Sequence, residues 1–187
     1  MFKKLFCILF LILSACGSDT LNFHGSDITE AQLNGRIELT SHDDEKFDSN
    51  NLLGNVVAVF FGFTNCPDIC PTSLTELKLI TEQLNQPENF KVLFVSVDPG
   101  RDTVEELKNY IPRFGDNMTG LTGSKEQIKK VADQFKVFYQ AVPQGNDYTI
   151  DHSAGIYIID KSGRVRIRFP YGTDTLLMVE DINKLLI

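Results

Sequence analysis

The sequence predicts one α/β domain in which a central mixed sheet is flanked by helices. Three observations predict it. Two continuous apolar runs rich in β-branched and aromatic residues, VVAVFF after Asn55 and KVLFVSV from Lys91, have the composition of strands buried on both faces. Stretches with apolar residues at helical spacing follow these runs, and a hairpin pattern with an amphipathic helix closes the chain. A length of 187 residues suffices for one domain with a buried core, and 42% apolar residues excludes a disordered chain.

Taken in order, residues 17 to about 34 are polar and lead into the domain. GRIELT alternates as a strand does, and SHDDEKFDSN is a polar turn region. VVAVFF is the central strand and leads through GFTN into Cys66. After Pro71, the residues Leu74, Leu77, Ile80 and Leu84 recur at helical spacing. Pro71 suits the first turn of that helix, where its missing N–H is not needed. KVLFVSV ends at Asp98-Pro99, which reads as a structural turn. Thr103 with Glu106 forms a capping-box pattern for a helix carrying Leu107, Tyr110 and Ile111, and Ser124 with Gln127 opens another through Phe135. Gly155 to Asp160, a Lys-Ser-Gly turn and Arg164 to Phe169 read as a hairpin, followed by a helix from Thr173 to Leu186. A thioredoxin-like sheet fits this order.

The N-terminus reads as a secretory signal: Lys3 and Lys4, an apolar stretch from Leu5 to Leu13, then Ser14-Ala15-Cys16-Gly17. The stretch is too short for an ordinary membrane-spanning helix, which needs about 20 residues. Leu13-Ser14-Ala15-Cys16 resembles the lipobox of bacterial lipoproteins, which implies that Cys16 carries the lipid. The expected organisation is therefore a signal peptide over 1–15, a lipidated tether over 16–30 and the domain over 31–187. The domain is expected to be extracytoplasmic, monomeric and held to a bacterial membrane on its periplasmic side. Formal charge is −7, and removing Lys3 and Lys4 from the 18 Lys and Arg leaves 16 against 25 acidic residues. That balance argues against a nucleic-acid partner, which calls for clustered basic residues.

With Cys7 in the leader and Cys16 committed to lipid, Cys66 and Cys70 remain in the domain. A C-x3-C pair closes too small a loop to add much stability as a staple, so chemistry at the sulfurs is the stronger explanation. Cys66 ends the loop after a core strand and Cys70 lies at a helix start, where the helix terminus favours a thiolate. Two thiolates admit a redox dithiol, half of a zinc site or a Cu(I) clamp. His24 in the tether and His42 in a polar turn read as solvated histidines. His152 stands just before an apolar strand and, by itself, reads as a satisfied core or hairpin histidine.

The stretches FFGFTNCPDICPTSLTEL, VSVDPGRDT, TGSKEQI and YTIDHSAGIYIID, in that order and spacing, resemble the SCO/SenC family, and the likeness reaches upstream to DITEAQLNGRIELT. The resemblance implies a thioredoxin-like fold and binding of copper, Cu(I) or Cu(II), by Cys66, Cys70 and His152. It also implies service to the copper-A centre of cytochrome c oxidase. The partner is then subunit II of that oxidase or another extracytoplasmic copper or thiol protein. Delivery of copper competes with a thiol–disulfide oxidoreductase role, in which Cys66 and Cys70 are the redox pair and His152 is not needed. A peroxidase is disfavoured, because Thr64-Asn65-Cys66 is one residue shorter than the T-x-x-C pattern of peroxiredoxins. Asp151 stands beside His152 and reads equally as its orienting partner or as a turn residue. Val104 departs from the family pattern, where a proline often follows R-D-T, and the loop between Val142 and Tyr148 looks short.

Overall fold

The structure, a computed structural model, describes residues 21–187. The signal peptide expected over 1–15 and the lipid position Cys16 lie outside the described residues. Among the described residues, no helix is long and apolar enough to cross a membrane.

Ten strands and four α-helices follow one another as β1 (Ser26–Asp27), β2 (Glu38–Ser41), β3 (Lys46–Asp48), β4 (Val56–Gly62), α1 (Ile69–Gln83), β5 (Phe90–Ser96), α2 (Val104–Tyr110), β6 (Met118–Thr122), α3 (Lys125–Phe135), β7 (Tyr139–Gln144), β8 (Asp147–His152), β9 (Gly155–Ile159), β10 (Val165–Pro170) and α4 (Thr175–Leu186). Eight of the strands form one sheet in the order β1-β10-β9-β4-β5-β6-β2-β3, and β7 pairs with β8 as a separate ribbon. The neighbours β4, β5 and β6 run parallel, and the other pairs are antiparallel. This is the mixed, helix-flanked, thioredoxin-like sheet that the sequence predicts.

β4 is buried at every position, as its unbroken apolar run demands. Its side chains alternate between the two faces. Phe61 packs its ring 5.4 Å from Phe135 of α3 and 6.3 Å from Tyr157 of β9. Phe60, on the other face, is in register with Phe94, whose ring stands 5.8 Å from Tyr110 of α2. The helix starts match their capping patterns. Thr103 accepts from the Glu106 N–H, and Ser124 and Gln127 form the full reciprocal box, a cap worth about 1 kcal/mol.

Two readings need correction, and a third gains its place in the fold. The tether does not extend to residue 30: Ser26 and Asp27 pair with Arg168 and Ile167 of β10, and the backbone N–H groups of His24 and Gly25 donate to the buried carboxylate of Asp181. Polar composition hid this because the segment is held by its backbone, not by an apolar face. The turn region 41–50 contains β3, which closes a hairpin with β2. The span between Val142 and Tyr148 is the tip of the β7–β8 ribbon, turning at Gly145 with φ +62°.

Candidate metal centre

β4 delivers the chain to the sheet end at Gly62, and the loop that follows folds back so that the Cys66 N–H donates to the Phe63 carbonyl at 3.2 Å. α1 then starts at Ile69, with the Thr72 N–H closing onto the Asp68 carbonyl. Pro71 lies inside this first turn, where no N–H is required. Cys70 is the second helical residue and is fully buried against β4, whereas Cys66 is half-buried at the rim. Gly62 makes the approach possible: a Cβ there would stand 2.8 Å from Cys70 Sγ. Both cysteines are free thiols.

The loop is held from beneath by a residue that sequence reasoning passed over. Asp102, almost wholly buried, accepts from the Thr64 N–H at 3.1 Å, the Thr64 hydroxyl at 2.6 Å and the Ser96 hydroxyl at 2.6 Å. Burial pushes its carboxyl pKa up, against those hydrogen bonds. The signal lay in the R-D-T stretch, whose aspartate reaches back to the T-N-C loop.

His152 ends β8, and its ring lies edge-on to Phe63 and Phe60, at 5.9 and 6.4 Å between centroids. Its Nε2 is 3.8 Å from Cys70 Sγ, and its Nδ1 is 3.3 Å from the Ser153 carbonyl oxygen. A carbonyl can only accept, so Nδ1 is the donor there, and Nε2 is left facing the cysteine sulfurs. Asp151 is exposed and makes no hydrogen bond to His152, so the Ser153 carbonyl takes the orienting role considered for it. His24 and His42 stand apart from this cluster. His24 bonds Glu180 at the surface, while His42, read as solvated, has its side chain 13% exposed and accepts from the Gly120 N–H.

The β7–β8 ribbon carrying His152 shares no ladder with the main sheet. A clasp ties it down. Buried Asp98 binds Arg101 Nε at 2.5 Å and accepts from the Tyr148 hydroxyl at 2.8 Å. Arg101 in turn donates to the Tyr148 carbonyl at 2.9 Å and stacks 3.8 Å from the centre of the Tyr148 ring. The Asp98-Pro99 turn is therefore structural, as read, but what it supports is the histidine strand. Arg101 and Tyr148 lay unnoticed in the same motifs that drew attention to the cysteines and His152.

The two thiols are electrostatically unlike. The Cys66 pKa falls to about 3, because the Cys70 thiol stabilises its thiolate; burial opposes this, and His152 and the backbone N–H groups of Cys70 and Asp68 reinforce it. Cys70 moves upward, because ionising it beside the Cys66 sulfur and inside the core is unfavourable. Among the described residues, no group of three or more His, Cys, Asp or Glu already surrounds a common metal position. The Cys70 sulfur and His152 Nε2, 3.8 Å apart, fit two ligands of one ion. A first-row ion bonded to sulfur at about 2.3 Å and to nitrogen at about 2.0 Å, near 120°, holds those atoms about 3.7 Å apart.

Comparison with known proteins places the chain in a family. The SCO1/SenC family pattern matches residues 25–187. An SCO2-like protein of Rickettsia prowazekii is 46% identical over 142 residues, covering 74% of this chain and 69% of that one. Among solved structures, Arabidopsis thaliana ScoI with copper bound superposes with a TM-score of 0.77 at 32% identity, covering 82% of this chain and 98% of that one. Bradyrhizobium japonicum ScoI with copper bound gives 0.75 at 34%, covering 82% and 99%. With the match spanning the domain from its first strand to its last residue, the chain belongs to the SCO1/SenC family.

Proposed function

We propose that this protein binds copper through Cys66, Cys70 and His152 and delivers it to the copper-A centre of cytochrome c oxidase, on subunit II, during assembly. In this reading it works outside the cytoplasm, tethered by lipid on Cys16. The observation that carries the proposal is the meeting of Cys70 Sγ and His152 Nε2 at 3.8 Å beside the Cys66 thiolate, across 82 residues of sequence. Thiolate sulfur is a soft donor suited to Cu(I), and imidazole suits both oxidation states. Three donors at a sheet-end rim leave a coordination position open to the donor group of an acceptor, which favours transfer over storage.

The asymmetry of the thiols supports a second reading, thiol–disulfide exchange. The Cys66 thiolate would attack a partner's disulfide sulfur, giving a mixed disulfide and a released partner thiolate. Cys70, losing its proton, would then attack Cys66 Sγ, releasing the second partner thiol. The partner gains two electrons, and the pair becomes the Cys66–Cys70 disulfide.

His152→Ala separates the two. Under the copper reading, it loses most Cu(II) binding together with the sulfur-to-copper charge-transfer absorption, loses less Cu(I) binding, and keeps its exchange rate with small disulfides. Unchanged Cu(II) spectra in the purified variant, with normal oxidase assembly in cells at limiting copper, would overturn the copper site and leave exchange as the function.

A further inference from the structure

The route by which the chain enters the domain points to a membrane-facing surface. Asn22 to Gly25 are clamped to α4: Lys184 Nζ donates to the Asn22 carbonyl at 2.8 Å, His24 Nε2 bonds Glu180, and the His24 and Gly25 N–H groups donate to Asp181. Leu177 lies four residues before Asp181, and Leu176 four before Glu180, so both leucines share the clamp's side of the helix, one turn nearer its start. They are exposed, Leu176 at 59% and Leu177 at 36%, and Tyr171 beside them is 46% exposed.

The charges around this apolar group are engaged. Glu180 pairs with His24, Asp181 with Lys184, and the Asp174 carboxylate caps α4 at the Leu176 N–H. Between Cys16 and Asn22 lie the residues 17–21 alone. Fully extended, that stretch spans no more than about 20 Å. A lipid in the bilayer at Cys16 therefore keeps the α4 face within that distance of the membrane surface. The lipidated chain has 16 Lys and Arg against 25 acidic residues, so anionic headgroups would repel it, which favours apolar adhesion.

We propose that Leu176, Leu177 and Tyr171 rest on the bilayer interface, with the domain lying on the membrane along the start of α4. The inference rests on the lipid anchor at Cys16. Its consequence concerns the metal centre: the Tyr171 N–H donates to the Ala154 carbonyl, two residues past His152. The proposed contact would therefore lie on the same stretch of backbone that carries the histidine side of the site.

The chain has no tryptophan, so one introduced indole reports alone. The lipidated protein carrying Leu176→Trp is reconstituted in phosphatidylethanolamine–phosphatidylglycerol vesicles with brominated acyl chains. Leu53→Trp, at an exposed leucine before the far end of β4, is the comparison. Vesicle flotation of wild type and Cys16→Ser reads the anchor. The expected result is that wild type floats and Cys16→Ser does not, and that bromination quenches Leu176→Trp about twofold or more, as for a residue at the headgroup–acyl boundary, but not Leu53→Trp. Flotation without quenching overturns the contact and leaves the anchor standing. Failure of wild type to float overturns both. A blue-shifted emission from Leu176→Trp in protein free of lipid and vesicles means that a second copy or residues 17–20 cover this face, and it also overturns the contact.

Discussion

Replacing Gly62 with alanine tests whether the fit of Cys70 against β4 positions the site. The added methyl would stand 2.8 Å from Cys70 Sγ, 2.8 Å from Phe94 Cε2 and 3.2 Å from Phe60 Cε1. Non-bonded heavy atoms settle at about 3.5–4.0 Å, so the neighbours must give way by roughly 1 Å. All three are buried, so none can retreat into solvent. Overpacking of this kind costs about 1–3 kcal/mol, read as a fall in the urea midpoint at unchanged slope. Phe94 is wedged between Phe60 and Tyr110, which leaves the single-bond rotation of Cys70 as the softest response. That rotation carries the sulfur away from its 3.8 Å approach to His152 Nε2. Each ~1.4 kcal/mol of this strain that persists in the copper-loaded protein weakens binding about tenfold in a chelator competition. Gly100→Ala is the control: its methyl meets nothing closer than 3.8 Å, and its effect should stay within about 0.5 kcal/mol. A Gly62→Ala protein with wild-type urea midpoint and wild-type copper affinity would refute the reasoning.

Two further predictions concern the thiols and the clasp. Reduced protein should be alkylated by iodoacetamide at Cys66 down to pH 5 while Cys70 stays unmodified; peptide mapping showing both thiols titrating near the ordinary value of about 8.5 would remove the asymmetry argued for the pair. Because the folded value of Cys66 lies below the unfolded one, its contribution to stability is complete above about pH 8.5 and is lost as pH falls through the folded value. Arg101→Lys keeps the charge but loses the fork and the ring stack. It should raise hydrogen exchange across β7–β8 and weaken Cu(II) binding more than Cu(I) binding, and equal loss of both ions would deny the clasp its selective hold on His152.

The legible parts of this protein are those specified by apolar pattern and local chemistry. β4 and β5 show as unbroken runs, and α3 announces its start through Ser124 and Gln127. The illegible parts are held by single polar atoms from distant residues. β1 has two residues and no apolar face; Asp181, which holds the N–H of Gly25 just before it across 156 positions, gives it a place. β7 is largely exposed and β8 mostly half-buried, and their register is set by pairing with each other and by Arg101. The same division runs through the site. The C-x3-C spacing can be read directly, whereas neither the carboxylate under Thr64 nor the carbonyl against His152 Nδ1 leaves a periodic trace.

The supports of the two halves of the site differ in kind, and this bears on how a bound ion would leave. Cys70 is set in the core between β4 and α1. His152 ends a ribbon outside the main sheet, fastened by the clasp of Arg101 and Tyr148 on buried Asp98 and by the paired, more exposed bonds between Phe138 and Ser153. Local opening is drawn from regions with few buried contacts, so the imidazole end opens first. Loss of nitrogen leaves two sulfurs, a set that retains Cu(I) better than Cu(II). In the delivery reading proposed above, an acceptor docking on the ribbon would need to displace only the histidine to begin taking the ion. The sulfur half would stay in place until the acceptor's own ligands competed for it.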